Sequence, residues 1–200
     1  MRGGSLRQAR WQPHVNAVRA PALMRDWLTT PGSLTARLIA HSRAFRVQRL
    51  RQAGALCLPD EAQAIGLPRP RHVWEREVLL RCDGRAVVYA HTVVPISSTA
   101  TDWPLFSALG ERSLGTTLFY DPLVKRGELE FARIRAGHPL MQRALAALGH
   151  EPAGLAGLAA RRSHLYARRC VYRRHQGLLL VTEVFLPTVL DLVATATHRT

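Results

Sequence analysis

The clearest alternation of apolar and polar positions runs through residues 73–95. Two runs rich in β-branched and apolar residues flank Asp83-Gly84, a dipeptide that favours a tight hairpin turn because both residues tolerate positive φ. Period-two alternation places four residues of the first run on one face: Trp74, Arg76, Val78 and Leu80. The second run is apolar on both faces, so we predict an antiparallel hairpin in a sheet that is covered on both sides.

A charged residue interrupts the apolar face of two predicted strands. Arg76 lies within the first run, and Glu183 has the same kind of position in the strand predicted over residues 178–186. Burying either charge without a partner is costly, so each side chain must meet an opposite charge or water. Two interpretations stay open at this point: the two side chains form a structural ion pair or are solvated, or they hold the polar groups of a ligand.

The remaining periodicity predicts helices between the strands. Two helix-turn-helix units of similar size are expected at residues 21–41 and 105–120, and they could close over opposite sides of a site. A further helix is predicted at Pro139–Leu148, within an Ala/Leu/Gly-rich segment, residues 136–160, that we interpret as a surface elaboration. The other expected elements are strands at residues 45–51, 128–135 and 161–173, and a connecting loop with one helical turn at residues 56–70.

Together these elements predict the fold class. About six strands joined mostly as hairpins, with helices grouped between them, indicate one α+β domain with an antiparallel sheet, in which two helix-turn-helix flaps cover an internal ligand pocket. We expect the domain to span residues 21–200, after a flexible N-terminal segment at residues 1–20. A length of 200 residues and a hydrophobic content of 47% suit one such domain, which we expect to be a monomer.

Composition limits where in the cell the protein is expected and which kinds of site it can carry. No window approaches about 18 consecutive apolar residues, so we expect no membrane insertion, and the N-terminal residues lack the apolar run of a secretory signal, so we expect a cytoplasmic protein. Three cysteines, Cys57, Cys82 and Cys170, are odd in number and lack metal-ligand spacing, and we expect them to be reduced and structural. The nine histidines are scattered along the chain, so we predict no metal site.

The net charge of +14 raises the question of nucleic-acid binding. Lys125 is the only lysine, so nearly all the positive charge is arginine, and the arginines are spread over most of the chain. An RNA-binding sheet also needs aromatic residues on an open face, whereas the aromatic content here is 6%. We therefore predict no nucleic-acid partner, and expect the positive charge to attract a small dianion by long-range steering.

Five segments carry a family resemblance. In chain order they are WEREVLLRCDGR, TVVP, SLGTTLF, RRSHLY and LLLVTEVFLP, running from Trp74 to Pro187. With these segments the chain resembles the chorismate pyruvate-lyase family. The resemblance implies that it removes pyruvate from chorismate to give 4-hydroxybenzoate for ubiquinone biosynthesis, without a cofactor. It also implies the same antiparallel sheet architecture.

The resemblance assigns roles to named residues. Arg76 is implied to bind the ring carboxylate of the substrate, whose planar shape suits a guanidinium. Glu183 is implied to lie at the opposite end of the ring, near the hydroxyl, where it can accept a hydrogen bond or assist proton movement. Leu34 and Leu114 are implied to line the pocket, with backbone groups at Leu114 touching the ligand.

Three points stay open. His91 lies where relatives more often have arginine, so it either contacts the second carboxylate of the substrate or is a hydrogen-bonded core histidine. Only one of Arg161 and Arg162 can point inward on an alternating strand. The alternative function is a non-catalytic module of the same fold that binds an aromatic acid, as in some transcription regulators. Such regulators carry an N-terminal winged-helix domain, for which we expect too little room before the first strand.

Overall fold

A six-stranded antiparallel sheet forms the centre of the computed structural model, which describes residues 8–99, 101–104, 106, 108–149 and 163–192. The strands are β1 (Phe45–Leu56), β2 (His72–Cys82), β3 (Arg85–Pro95), β4 (Val124–Arg135), β5 (His164–Arg174) and β6 (Gly177–Phe185). Their order across the sheet is β1-β2-β3-β6-β5-β4. The predicted α+β fold class, with about six antiparallel strands, is therefore confirmed.

The described residues form six α-helices beside the sheet: α1 (Ala22–Leu28), α2 (Leu34–Ala40), α3 (Pro59–Ala64), α4 (Ile96–Thr99), α5 (Leu114–Tyr120) and α6 (Pro139–Ala147). Short 3-10 helices lie at Val15–Val18 and Pro187–Asp191. We call residues 22–40, which contain α1 and α2, the first flap. Residues 108–120, which end in α5, are the second flap. Of the helix-turn-helix unit expected at residues 105–120, only the second helix is seen, since the described residues between 101 and 112 form turns, bends and irregular structure.

The predicted hairpin turn is confirmed. Asp83 and Gly84 connect β2 to β3 with φ values of 51° and 81°, the left-handed conformation that a two-residue turn of this type requires. The Asp83 carboxylate also accepts hydrogen bonds from the backbone N–H groups of Arg43 and Ala44, which ties the turn to the start of β1. This hairpin therefore fixes the register of three neighbouring strands.

Both faces of the sheet are covered, as the apolar pattern of β3 predicts. The two flaps cover one face, which we call the site face. On the opposite face α6 buries Leu140, Met141, Ala144 and Leu148 against sheet residues that include Leu79 and Tyr89. The prediction that residues 136–160 are a surface elaboration is therefore wrong for α6, while residues 150–160 lie outside the described part.

The N-terminal residues differ from the flexible segment predicted at residues 1–20. From Gln8 onward the chain packs against the sheet: Gln12 pairs with Phe131 of β4 through backbone hydrogen bonds, and Val18 and Ala20 are buried. The Trp11 indole donates a hydrogen bond of 2.9 Å to Asp60. Residues 1–7 lie outside the described part of the chain.

Two further findings concern the cysteines and the helices of the described part of the chain. Cys57, Cys82 and Cys170 are all buried and free. No helix in the described ranges has both the length and the apolar character needed to cross a membrane.

A β-bulge in β4 changes which residues face the flaps. Arg126 pairs with Tyr172 and Leu129 pairs with Cys170, so between these pairs two residues of β4 oppose one residue of β5. Residues three apart normally point to opposite faces of a strand, but here Arg126 and Leu129 both line the site face. Gly127 lies within the bulge, where an added Cβ would come within 2.8 Å of the Val171 carbonyl oxygen.

We predict that Gly127→Ala destabilises the protein by about 1–3 kcal/mol, because the clash is with backbone that cannot rotate away. Urea unfolding measures the change. The matched control is Gly32→Ala, since a Cβ at Gly32 meets no atom within 4 Å. Equal stability of Gly127→Ala and the unmodified protein would contradict the close approach at the bulge.

Candidate functional site

A cavity lies between the site face of the sheet and the two flaps. It encloses about 640 Å³, part of which is open to solvent. Four residues predicted from the sequence line it together: Leu34, Arg76, Leu114 and Glu183. The remaining lining residues used below are Thr35, Ala90, Thr92, Ser113, Arg126, Leu129, Arg168, Cys170, Tyr172 and Val181. The start of α2, the start of α5 and the centre of the sheet thus meet at a single site.

Arg76 is buried in this cavity with 2% of its surface exposed. Its Nη2 donates hydrogen bonds to the carbonyl oxygens of Gly110 at 3.0 Å and Arg112 at 2.9 Å, both in the second flap. Its Nε has no hydrogen-bond partner, and no carboxylate pairs with it in the described ranges. Burial and the positive charge of Arg49 lower the pKa of Arg76 to about 10, so it stays charged at neutral pH. A buried cation with a spare donor is a strong site for an anion.

Glu183 is paired with a different arginine. Arg168 Nε donates to Glu183 Oε2 at 2.5 Å, and Arg168 Nη1 donates to the carbonyl oxygens of Leu28 at 3.1 Å and Thr30 at 3.3 Å. The ion pair considered between Arg76 and Glu183 is therefore not formed. Instead, Arg168 holds Glu183 in place and connects it to the first flap.

Two small residues separate the two charged side chains. Thr92 of β3 pairs with Arg76 of β2, and Ala90 of β3 pairs with Glu183 of β6. Arg76 and Glu183 are thus two strands apart on the same face and offset by two residues along the strands, so their backbones are roughly 12 Å apart. Ala90 and Thr92 carry small side chains, so the sheet residues between the cation and the carboxylate leave the cavity open there.

The flaps close the cavity from above. Leu34 is 3% exposed and Leu114 is 9% exposed, so both present apolar side chains to the interior. The hydroxyl groups of Thr35 and Ser113 form a 2.7 Å hydrogen bond that joins the first flap to the second. Ser33 caps α2 by accepting a hydrogen bond from the Ala36 N–H, which fixes where this helix begins. A ring bound between Arg76 and Glu183 would be covered by these leucines.

His91 does not lie in the cavity. It points to the opposite face of the sheet, where Nδ1 lies 2.8 Å from Glu61 Oε1 and Nε2 lies 3.1 Å from Glu75 Oε2. It is 1% exposed. The interpretation of His91 as a contact to the second carboxylate does not fit this position, and the other interpretation, a hydrogen-bonded core histidine, does. The reason is period-two alternation, since Ala90 and Thr92 on either side of His91 face the cavity.

The ligand atoms of Glu75, Glu77 and His91 lie within 4.8 Å of one another, a spacing at which a metal ion could be held. Existing ion pairs already use these groups. Arg143 Nη1 donates to Glu75 at 3.1 Å and to Glu77 at 2.8 Å, and Arg51 Nε lies 2.9 Å from Glu75. The cluster is therefore better described as an internally neutralised network of charges than as a metal centre.

Two cavity residues were missed by sequence reasoning, Arg168 and Arg126. Arg168 could have been found by counting from the β5–β6 turn, because the pairing of Arg174 with Gly177 places Arg168 opposite Glu183. Arg126 faces the cavity only because of the bulge, which the sequence pattern does not signal. The predicted pair Arg161 and Arg162 lies outside the described residues.

Comparison with known proteins places this cavity in a family context. The sequence model of the family described as Chorismate lyase matches residues 5–194. The chain belongs to the chorismate lyase family. A protein from Cupriavidus metallidurans is 47% identical over 191 residues, covering 94% of this chain and 84% of the relative. A protein from Ralstonia nicotianae is 51% identical over 163 residues, covering 82% and 80% respectively. Both relatives are named probable chorismate pyruvate-lyase.

The fold of this chorismate lyase family member is also seen in solved structures. The crystal structure of the PhnF C-terminal domain aligns with a TM-score of 0.51 at 15% identity, covering 75% of this chain and 87% of that domain. At this level of identity the likeness describes the fold alone.

The His91 network predicts how stability depends on pH. Although burial opposes a charge on His91, Glu61 and Glu75 more than compensate and raise its pKa to about 9. A raised pKa in the folded state adds stability below the unfolded value of about 6.5, and this stability is lost as the pH rises through 9. We expect the free energy of unfolding of the unmodified protein to fall between pH 6.5 and 9. His91→Gln should be less stable than the unmodified protein at pH 6.5, and its free energy of unfolding should fall less over this pH range.

Urea unfolding at several pH values measures this effect, with His14→Gln as the matched control because His14 is exposed. An equal decline in His91→Gln and the unmodified protein would show that His91 is not the group responsible.

The Arg168–Glu183 pair predicts a second stability effect. Arg168→Met leaves Glu183 largely buried without its partner and should cost about 2–4 kcal/mol. The double variant Arg168→Met/Glu183→Gln should lose less, because no buried charge is left unpaired. Arg174→Met is the control, since the pair of Arg174 with Asp121 is more exposed and is expected to contribute about 0–1 kcal/mol. A double variant less stable than Arg168→Met would contradict this account of the pair.

Proposed function

We propose that this protein is a chorismate pyruvate-lyase, which removes pyruvate from chorismate and releases 4-hydroxybenzoate. The single observation that carries the proposal is the position of Arg76, a buried cation without a carboxylate partner in the described ranges, across a ring-sized space from Glu183. Membership of the chorismate lyase family and the names of its relatives support the same activity.

The reaction itself makes modest demands on the protein. The bond between ring carbon C3 and the ether oxygen breaks, C4 loses its proton, and the ring becomes aromatic with the former C4 hydroxyl as the phenol. The enolpyruvate that leaves gains a proton at its methylene carbon and becomes pyruvate. The step is redox-neutral and is driven by aromatisation, so orientation of the substrate and exclusion of water supply much of the catalysis.

The cavity residues suit these demands. Arg76 binds the ring carboxylate through donors that the second flap does not use, a charge-assisted contact worth about 1.5–3 kcal/mol. Glu183, held by Arg168, accepts a hydrogen bond from the C4 hydroxyl at the far end of the ring. Leu34 and Leu114 cover the ring and keep water from the reacting carbons. No part of this arrangement requires a cofactor.

Further expectations belong to the proposal. The product enters the ubiquinone pathway, as the family resemblance implies. The protein acts as a monomer in the cytoplasm. The alternative, a module that only binds an aromatic acid, differs in one outcome: it would bind 4-hydroxybenzoate and leave chorismate unchanged.

The test is to incubate the purified protein with chorismate and measure 4-hydroxybenzoate and pyruvate, which should form in equal amounts. Arg76→Gln should lower kcat/KM by about 10- to 100-fold, the effect expected for one lost charge-assisted hydrogen bond. Glu183→Gln, which is nearly isosteric, should lower kcat at least tenfold. Loss of a group that transfers a proton usually lowers the rate by about 10²–10⁴-fold, and a group that only positions the substrate has a smaller effect.

Exposed residues of β4 provide matched controls, Arg135→Gln for the arginine and Glu128→Gln for the glutamate. Both should keep the activity of the unmodified protein. Binding of 4-hydroxybenzoate without turnover of chorismate would support the binding-module alternative. If the protein neither binds 4-hydroxybenzoate nor converts chorismate, both functions are ruled out.

A further inference from the structure

The substrate of the proposed reaction has two carboxylates, and Arg76 accounts for only one of them. The second belongs to the enolpyruvyl group, which is attached at C3, next to the C4 hydroxyl. If the ring carboxylate lies at Arg76 and the C4 hydroxyl at Glu183, the enolpyruvyl group extends from the Glu183 end of the ring. A cation for the second carboxylate is therefore expected beyond Glu183, on the side away from Arg76.

The charges that line the cavity match a dianion. In the described part of the chain, the lining contains three arginines and one glutamate, which leaves two positive charges in excess. Burial raises the pKa values of the other two titratable lining residues, Cys170 and Tyr172, so both are neutral near pH 7. The net charge of the lining side chains is thus opposite to that of chorismate, which is a dianion. The product 4-hydroxybenzoate is a monoanion.

Arg126 lies on that side of the cavity, level with Leu179 of β6 and so four residues along the strand from Glu183. The strand order places β4, which carries Arg126, two strands beyond β6 and its Glu183, on the side away from Arg76 in β2. The β4 bulge directs Arg126 into the cavity, next to Tyr172. Its Nη1 donates a 2.7 Å hydrogen bond to the carbonyl oxygen of Pro31, so the guanidinium lies beneath the turn of the first flap.

The other lining arginine is less suited to this role. Arg168 has its positive charge balanced by Glu183 at 2.5 Å and donates to two backbone carbonyl groups of the first flap. Taking a substrate carboxylate would draw Arg168 away from Glu183, which the reaction needs in position. His91, the candidate suggested by the sequence, faces the other side of the sheet.

We propose that Arg126 binds the enolpyruvyl carboxylate of chorismate, and so distinguishes the dianionic substrate from the monoanionic product. This inference rests on the proposed function. Once the C3–O bond breaks, the carboxylate held by Arg126 belongs to pyruvate, and 4-hydroxybenzoate keeps only its contacts with Arg76 and Glu183. The contact with Pro31 further implies that the enolpyruvyl group lies beneath the first flap, so that pyruvate is released on that side.

The test compares substrate use with product binding in the full-length protein. Arg126→Gln should lower kcat/KM for chorismate by about 10- to 100-fold, since one charge-assisted contact is lost, and should change the Kd of 4-hydroxybenzoate by less than about threefold. Arg126→Lys keeps the charge without the planar fork and should recover part of the loss. Arg76→Gln should weaken both quantities, and Arg135→Gln, on the same strand but exposed, should change neither.

Two outcomes overturn the assignment while leaving the proposed function intact: unchanged kcat/KM in Arg126→Gln, or an equal loss of substrate use and product binding, which would indicate general damage to the cavity. Thermal unfolding of each variant identifies a folding defect, and Arg126→Lys then carries the comparison in place of Arg126→Gln. An unmodified protein that does not convert chorismate overturns both the proposed function and this inference.

Discussion

The site depends on one electrostatic constraint: the Arg76 guanidinium is buried against the sheet, and no carboxylate in the described part of the chain neutralises it. Arg76 donates hydrogen bonds to two backbone carbonyl groups of the second flap. These bonds use part of its donor capacity but do not neutralise its charge. An uncompensated buried charge is unfavourable unless an anion arrives. The residues around Arg76 can be understood as the structure that keeps this cation in place and leaves room for its anion.

The two faces of the sheet treat buried charge in opposite ways. On the face opposite the cavity, three glutamates are balanced by His91, Arg143 and Arg51 in a closed network. On the site face the described lining residues include three arginines and one glutamate. Strands β2 and β3 contribute side chains to both faces. The neutral network therefore stabilises the strand that carries Arg76. The neutral network on one face thus stabilises the same strands whose other face carries the cavity.

Much of the fold could be predicted from the sequence because it follows from local rules. Asp83-Gly84 specified a tight turn, and alternation placed Arg76 and Glu183 on cavity-facing positions. Three features needed the tertiary structure. The β4 bulge turned Arg126 toward the cavity, α6 proved to be part of the core, and the chain from Gln8 packed against β4. Bulges and the docking of terminal segments depend on contacts between residues distant in sequence, so periodicity does not report them.

The placement of His91 shows where a resemblance between sequences reaches its limit. A family position can hold a histidine in place of an arginine, but only alternation along β3 decides which face that residue occupies. Its neighbours Ala90 and Thr92 line the cavity, so His91 faces the glutamates.

The most direct test of the central claim compares the binding of 4-hydroxybenzoate with that of its neutral analogue 4-hydroxybenzamide, by calorimetry, in the unmodified protein and in Arg76→Gln. If the uncompensated Arg76 cation selects the carboxylate, the unmodified protein prefers the acid by about tenfold or more, as one charge-assisted contact implies, and Arg76→Gln loses that preference. Equal binding of acid and amide by the unmodified protein, or a preference that survives in Arg76→Gln, would contradict the account.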